Sequence, residues 1–256
     1  IFNYFAAASA SGGIKLEGGT TDWNITNNRF YQTVGRTQTT AAQHSAIWVN
    51  NTSGNNFQIS GNTIGFSSNT GTGTYTLTTL AGTTFIPIFM SVGTTTASSI
   101  QGNTITAIAM SGASSGTSSS APFRGIYVSS GLAHVGATSA GASGTGNTIG
   151  SQSAPGAITY TSSSASTSDV MGIFNFGTST WVVMNNNIGG IIASNSSTGA
   201  ANVYGIRFFT SSTVNTTVQN NTIGGIIANS LQSTTTAAAT QVAGIFSSSS
   251  NATVTG

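Results

Sequence analysis

The chain has 256 residues, and only eight of them are charged: five bases and three acids, for a formal net charge of +2. Charged residues make up 3% of the chain, against about 25% in an ordinary soluble domain, and bases this few and scattered exclude a nucleic-acid-binding surface. Cysteine is absent, which excludes disulfides and thiol chemistry, and no apolar run approaches the ~20 residues of a membrane-spanning helix.

Two short phrases alternate along the chain and define its predicted elements. The first is Gly-Ile or a variant of it, found at Gly13-Ile14, Ala46-Ile47, Pro87-Ile88, Gly125-Ile126, Gly172-Ile173, Gly205-Ile206 and Gly244-Ile245. The second is Asn-x-Ile, which begins at Asn28 (with Phe30 in place of Ile), Asn62, Asn103, Asn147, Asn186 and Asn221, at spacings of 34, 41, 44, 39 and 35 residues. A period of this size indicates a solenoid, a propeller or a tandem array.

The apolar residues around both phrases follow a period of two, which predicts short strands with one face turned inward. Three residues before the repeated Asn stand Ile25, Ile59, Ile100, Val183 and Val218. Each repeat is predicted to hold about three strands separated by Gly and Asn turns. A propeller needs four antiparallel strands and tight hairpins per blade, and regular Asn-Gly or Asp-Gly turns are missing. The pattern favours an all-β parallel β-helix of about six coils of 34–44 residues.

Stacked coils place like residues on like residues, so two ladders are predicted. The inward stack consists of Ile64, Ile105, Ile149, Ile188 and Ile223. The turn ladder beside it consists of Asn62, Asn103, Asn147, Asn186 and Asn221. Asn tolerates the left-handed turn conformation, and its amide bonds the Asn of the coils above and below. We therefore expect these Asn to form the turns and to stack.

The segments between the phrases are rich in Ser, Thr, Ala and Gly, and they are predicted to bulge from the coils as long loops. One of them carries a further strand signal. Thr70, Thr72, Thr74, Thr76 and Thr78 alternate there with Gly71, Gly73, Tyr75 and Leu77.

The segment GIRFFTSSTVNTTVQNNTIGGI, residues 205–226, resembles the right-handed parallel β-helix repeat of the pectate-lyase-like superfamily. The resemblance covers all six coils. It implies a right-handed solenoid and a relation to polysaccharide lyases and hydrolases. The long Ser/Thr-rich insertions depart from those enzymes. They resemble the repetitive surface and appendage proteins of gliding or predatory filamentous bacteria, which points to a non-catalytic member.

The sequence contains few candidate catalytic or metal-binding residues. Glycoside hydrolysis needs two carboxyl groups about 5–9.5 Å apart. Glu17 and Asp22 lie together in the first coil and are interpreted as solvated turn residues, whereas Asp169 is predicted in a loop about four coils later. The acid cluster that a calcium-dependent lyase would require has no match. His44 and His134 are interpreted as isolated loop residues. We expect no catalytic residue, no metal ligand and no cofactor.

One position of the repeat carries a more specific signal than these isolated residues. The residue after each Ile of the Gly-Ile phrase should point outward, and five of the seven such residues are aromatic: Trp48, Phe89, Tyr127, Phe174 and Phe246, the aromatic stripe. The other two are Lys15 and Arg207. Three covers compete for this stripe: the chain's own long loops, a neighbouring subunit, or stacked sugar rings.

The repeat breaks off within its second phrase at Gly256, and neither end resembles a solenoid cap. Residues 1–256 are thus interpreted as a single β-helix segment of a longer array, continued by further coils or by abutting identical chains. We expect a structural or adhesive, non-enzymatic segment of a bacterial extracellular fibre or giant surface protein. Its expected partners are copies of itself and cell-surface glycans. The alternatives are a tailspike-like glycan-binding or glycan-cleaving β-helix, and an ice-binding β-helix.

Overall fold

A computed structural model describes residues 10–138, 144–177, 179–209, 216–237, 239–248 and 252–256. Residues 1–9, at the end where further coils were expected to continue the array, lie outside these ranges. Within the described ranges the chain forms 27 strands and a single 3-10 turn at Ser118–Ser120. Across the same ranges no helix has the length and apolar character needed to cross a membrane.

The strands follow one another in coils. Coil 1 holds β1 (Ser11–Leu16), β2 (Asn24–Thr26), β3 (Arg29–Phe30) and β4 (Arg36–Thr37). Coil 2 holds β5 (Gln43–Asn50), β6 (Gln58–Ser60), β7 (Thr63–Gly65) and β8 (Tyr75–Thr79). Coil 3 holds β9 (Thr84–Phe85), β10 (Ile88–Ser91), β11 (Ser98–Gln101), β12 (Thr104–Thr106) and β13 (Ile108–Gly112).

The later coils repeat this order. Coil 4 holds β14 (Phe123–Ser130), β15 (Ala133–Val135), β16 (Thr148–Gly150) and β17 (Ile158–Ser162). Coil 5 holds β18 (Ser168–Asn175), β19 (Trp181–Met184), β20 (Asn187–Gly189) and β21 (Ile191–Asn195). Coil 6 holds β22 (Ala201–Phe208), β23 (Thr216–Gln219), β24 (Thr222–Ile223) and β25 (Leu231–Ser233), and β26 (Val242–Ser247) and β27 (Ala252–Thr255) begin coil 7.

Each strand pairs in parallel with its counterparts in the neighbouring coils, which gives four stacked sheets. Sheet A runs β1-β5-β10-β14-β18-β22-β26, with β9 beside it, and sheet B runs β2-β6-β11-β15-β19-β23-β27. Sheet C runs β3-β7-β12-β16-β20-β24, and sheet D runs β4-β8-β13-β17-β21-β25. The predicted all-β parallel β-helix is therefore confirmed, with four strands in a coil where the sequence indicated about three.

Sheet D was predicted in one coil only, because most of its strands lie inside the segments interpreted as loops. Its inward residues alternate with small polar ones, as in β8, where Tyr75 and Leu77 are buried and Thr76 is exposed. The strand expected over Thr70–Thr78 thus begins only at Tyr75. Thr72 lies in a turn, where its hydroxyl contacts the Ser68 hydroxyl at 2.8 Å.

The glycine of the Gly-Ile phrase has a packing role that links the two phrases. A Cβ on Gly172 would lie 2.6 Å from the Gly205 carbonyl oxygen and 2.9 Å from Cγ2 of Ile188. Gly205 stands in the same relation to Ile223, at 2.7 Å. At these positions glycine thus lets the Ile of the Asn-x-Ile phrase approach sheet A closely across the core, although Ala46 and Pro87 take its place in coils 2 and 3.

The turn between sheets B and C corrects one expectation. In every coil but coil 4, the residue just before the ladder Asn lies in the left-handed region: Asn27, Gly61, Gly102, Asn185 and Asn220, with φ of 57°, 66°, 63°, 62° and 52°. The ladder Asn itself lies outside this region in the described coils. Its side chain is turned into the protein for hydrogen bonding, and the neighbouring residue makes the bend.

Candidate interaction surface

The ladder asparagines form one continuous hydrogen-bonded column. Oδ1 of Asn147 accepts the backbone N–H of Asn103 at 3.0 Å and its Nδ2 at 2.9 Å. The same pair of bonds joins Asn62 to Asn103, Asn147 to Asn186 and Asn186 to Asn221, and Asn28 joins the column through Asn62. The Asn147 amide also donates to the Ile100 carbonyl oxygen at 2.9 Å. Each inner side-chain amide is buried with its donors and acceptor paired.

The structure places the five predicted Ile in one column of sheet C. Ile64, Ile105, Ile149, Ile188 and Ile223 are direct partners from coil to coil, and Phe30 precedes them in the same register. The first four are fully buried, and Ile223 is half-buried and packs against the core. The hydrophobic column and the Asn column therefore run side by side along the axis.

The aromatic stripe lies in register on the outer face of sheet A. Together with Lys15 and Arg207 it forms one row, in the order Lys15, Trp48, Phe89, Tyr127, Phe174, Arg207 and Phe246. Successive ring centroids from Trp48 to Phe174 are 5.9, 5.3 and 5.1 Å apart. Phe89, Tyr127 and Phe174 are buried although they point away from the core, whereas Trp48 and Phe246 are half-buried.

A segment of the chain itself lies over the middle of this stripe. Residues 116–121, between β13 and β14, are here named the strap. Gly116 makes a parallel bridge with Ser168 of β18. Ala121 is fully buried in the apolar cluster that contains Phe89, Tyr127 and Phe174. The strap thus helps to cover the stripe at coils 3–5.

Asp169 holds the strap, and its place corrects the sequence analysis. It was expected in a loop, but it lies on β18 and is fully buried. Its Oδ2 accepts the Ser118 N–H at 3.0 Å and pairs with Nη1 of Arg207, and its Oδ1 accepts Nδ2 of Asn202 at 2.9 Å. The Ser/Thr-rich run just before Asp169 resembles a loop in sequence, and it concealed the start of β18 at Ser168.

Two arginines lie among the aromatic rings. The Arg124 guanidinium is 4.7 Å from the Tyr127 centroid and donates to the Ser119 carbonyl oxygen of the strap. Burial lowers the pKa of Arg124 to about 10, so it stays protonated at neutral pH. Arg207 lies 4.9 Å from the Tyr204 ring and 5.2 Å from the Phe246 ring. Burial, and secondarily the charge of Asp169, raises the pKa of Tyr204.

The face is open beyond the strap. Phe176 and Phe209 extend the aromatic run, with centroids 5.9 Å apart, and they are 44% and 41% exposed. Phe176 contacts Phe174 at 6.3 Å between centroids. The outer face of sheet A thus combines a covered middle with an exposed aromatic flank.

The other two acidic residues considered as catalytic candidates, Glu17 and Asp22, lie in coil 1, away from Asp169. Glu17 is exposed and pairs with Lys15 at 2.8 Å, and Asp22 is exposed and accepts Nδ2 of Asn56 at 2.7 Å. Among the described residues, no group of three or more His, Asp or Glu is arranged to hold a metal ion.

Both histidines were expected in loops, and both lie on strands. His44, on β5, is buried, and its Nδ1 is 2.6 Å from the Ser11 hydroxyl. Burial lowers the pKa of His44 to about 4. His134, on β15, places Nδ1 2.7 Å from the Thr138 carbonyl oxygen. The lack of nearby charged residues in sequence suggested loops, but strands in this chain are built almost without charge.

No protein-family model matches the chain, and comparisons with curated proteins and with solved structures give no match either.

Proposed function

We propose that the chain is a structural and adhesive segment of a bacterial extracellular fibre or giant surface protein. The observation that carries this proposal is the axial column of asparagines, each bonded twice to the next. With four parallel sheets, whose backbone hydrogen bonds also run from coil to coil, every coil is tied to its neighbours along one direction. Such a body resists extension along its axis, which suits a load-bearing rod.

The surface composition supports association with copies of the chain. Strands β7, β8, β12, β13, β16, β17, β20, β21, β24 and β25 carry no charged residue. Only coil 1 adds charge to sheets C and D, through Arg29 on β3 and Arg36 on β4. From coil 2 onward these faces exert little charge repulsion on one another, and low charge promotes association. Cell-surface glycans are the second proposed partner, because hydroxyl and amide side chains hydrogen-bond sugars and the exposed Phe176 offers a ring face.

A non-enzymatic member of the pectate-lyase-like superfamily fits these contacts better than a tailspike-like enzyme. Both carboxylate oxygens of the buried acid, Asp169, are already paired with Arg207, Asn202 and the Ser118 N–H of the strap. General acid–base catalysis requires a carboxyl group within reach of substrate, and this one is enclosed by the chain's own groups.

Fibre diffraction from the native appendage tests the proposal. Stacked parallel coils predict a reflection near 4.8 Å along the fibre axis, since that is about the spacing of neighbouring strands. A native particle without filaments, or filaments with the 4.8 Å spacing across the axis, would overturn it. Release of products from acidic polysaccharides by the purified chain would favour the enzyme instead.

One observation favours ice binding as a second candidate. Thr76 and Thr78 on β8 and Thr159 and Thr161 on β17 line the outer face of sheet D in two rows. Ala109 and Ser111 interrupt these rows between them. A measurable thermal hysteresis in the purified chain would support this candidate, and its absence would remove it.

A further inference from the structure

The strap has little hydrophobic attachment of its own. Its sequence is Gly-Thr-Ser-Ser-Ser-Ala, and Ala121 is the one residue of it that joins the apolar cluster. Thr117, Ser119 and Ser120 are exposed. Segments with few buried apolar contacts open locally at lower free energy than the core they lie on. Polar contacts must therefore supply most of what keeps the strap closed.

Those contacts converge on two buried charged side chains. Asp169 accepts the Ser118 N–H through Oδ2, and its own backbone N–H donates to the Gly116 carbonyl oxygen at 2.9 Å. Arg124 donates to the Ser119 carbonyl oxygen. Hydrogen bonds to charged groups contribute about 1.5–3 kcal/mol each, roughly twice those between neutral groups. The Asp169 carboxylate and the Arg124 guanidinium thus hold the strap at two consecutive residues, Ser118 and Ser119.

The surface beneath the strap is apolar. Tyr127, Phe174 and Met171 point outward from sheet A and are nevertheless buried. The exposed rings of Phe176 and Phe209 continue the same run. Lifting the strap would join the covered and exposed rings into one aromatic surface over coils 4–6.

We propose that the strap is a detachable cover and that Asp169 is the latch that keeps it closed over the aromatic stripe. Opening breaks the Ser118–Asp169 and Arg124–Ser119 hydrogen bonds and the backbone contacts of Gly116 with the β18 edge, and it leaves the pairing among the named strands of the four sheets intact. The Asp169–Arg207 pair remains on sheet A when the strap leaves, because both residues belong to its strands. This inference rests on the contacts of the strap and does not depend on the proposed function.

Cysteine labelling tests the latch, and the chain offers a clean background because it has no cysteine. Ala121→Cys reports opening of the strap. Ala193→Cys is the matched control, since Ala193 is equally buried but lies inside the core on β21. With a thiol reagent under native conditions, we expect Cys at the strap position to react roughly tenfold faster or more. Equal rates at the two positions would overturn the proposal, because the strap would then open only with the whole protein.

Asp169→Asn then tests the assignment of the latch, with Asp22→Asn as the control at an exposed acid. We expect Asp169→Asn to accelerate labelling of Ala121→Cys by about tenfold or more, since a hydrogen bond to a charged acceptor is weakened. Labelling of Ala193→Cys should change much less. Equal acceleration at both positions would assign Asp169 to global stability, and no acceleration would remove it from the strap, so either result overturns the latch.

Discussion

The corner between sheets B and C and the outer face of sheet A repeat once per coil, yet they repeat differently. At the corner, Asn occupies the same place in coils 1 to 6 and makes the same pair of bonds. On sheet A the equivalent row changes from Lys15 through aromatic rings to Arg207. The corner retains Asn because its side-chain amide must hydrogen-bond the same amide in the coils above and below. The outer face only needs side chains that pack on their neighbours, and it varies.

This difference predicts that substitutions inside the axial columns cost far more than substitutions at neighbouring exposed positions. The four comparisons below place a column or core residue against a matched reference, from the largest expected effect to the smallest.

The largest effect is expected for Ile188→Asp. It places an unpaired charge in the middle of the Ile column, and we expect a loss above about 4 kcal/mol or failure to fold. Asn187→Asp, at the exposed residue just before it on β20, should change stability by less than about 0.5 kcal/mol. Chemical denaturation followed by circular dichroism measures both, and similar midpoints for the two variants would contradict a buried column.

Asn147→Ala should follow. It removes the acceptor of two Asn103 donors and the Asn147 amide that donates to Ile100 and Asn186. Leaving buried groups unpaired costs about 1–3 kcal/mol each, and we expect a total of roughly 3–5 kcal/mol. Asn24→Ala, at an exposed strand residue, is the control. If the Asn column did not stabilise the fold, Asn147→Ala and Asn24→Ala would unfold at the same urea concentration.

Gly172→Ala tests the contact that links the two phrases. The new Cβ would meet the Gly205 carbonyl oxygen and the Ile188 side chain, and overpacking of this kind costs about 1–3 kcal/mol. A Cβ on Gly18 would meet nothing within 4 Å, so Gly18→Ala should be nearly neutral. Thermal unfolding compares the two variants, and an unchanged melting temperature for Gly172→Ala would mean that the two phrases are not in close contact.

The smallest effect near neutral pH is expected from the titration of His44. The pKa of His44 falls from an ordinary 6.5 to about 4 in the folded protein because of burial. The unfolded chain therefore binds this proton first as pH falls. The His44 contribution is intact above pH 6.5 and is lost progressively down to about pH 4, at up to about 1.4 kcal/mol per pH unit.

His44→Gln isolates that contribution. We expect the variant to lose less stability than the wild type between pH 7 and pH 4.5, measured as urea midpoints across the range. Parallel curves for the two proteins would show that His44 does not titrate with unfolding.

Sequence alone was informative where one residue must meet its own copy. The recurrence of Asn62, Asn103 and Asn147 predicted the coil length and the parallel stacking, because a contact between identical residues leaves the same residue in every coil. Sheet D was indicated in coil 2 only, because one of its inward rows accepts Leu77, Met110, Tyr160 or Ala193 equally well, and its recurring Ile108, Ile158 and Ile191 stand at irregular distances from the ladder Asn. Asp169 was misplaced because its partners, Ser118 and Arg207, are 51 and 38 residues away, and only the coil brings them together.

The central claim is that successive coils stack in axial register through the Asn column. Scalar couplings across hydrogen bonds, measured by NMR on isotope-labelled chain, test it most directly. The account predicts couplings from the backbone nitrogen of Asn103 to the side-chain carbonyl of Asn147, and from Asn147 to Asn186. Couplings from these nitrogens to carbonyls within their own coil, with none to the next Asn, would contradict it.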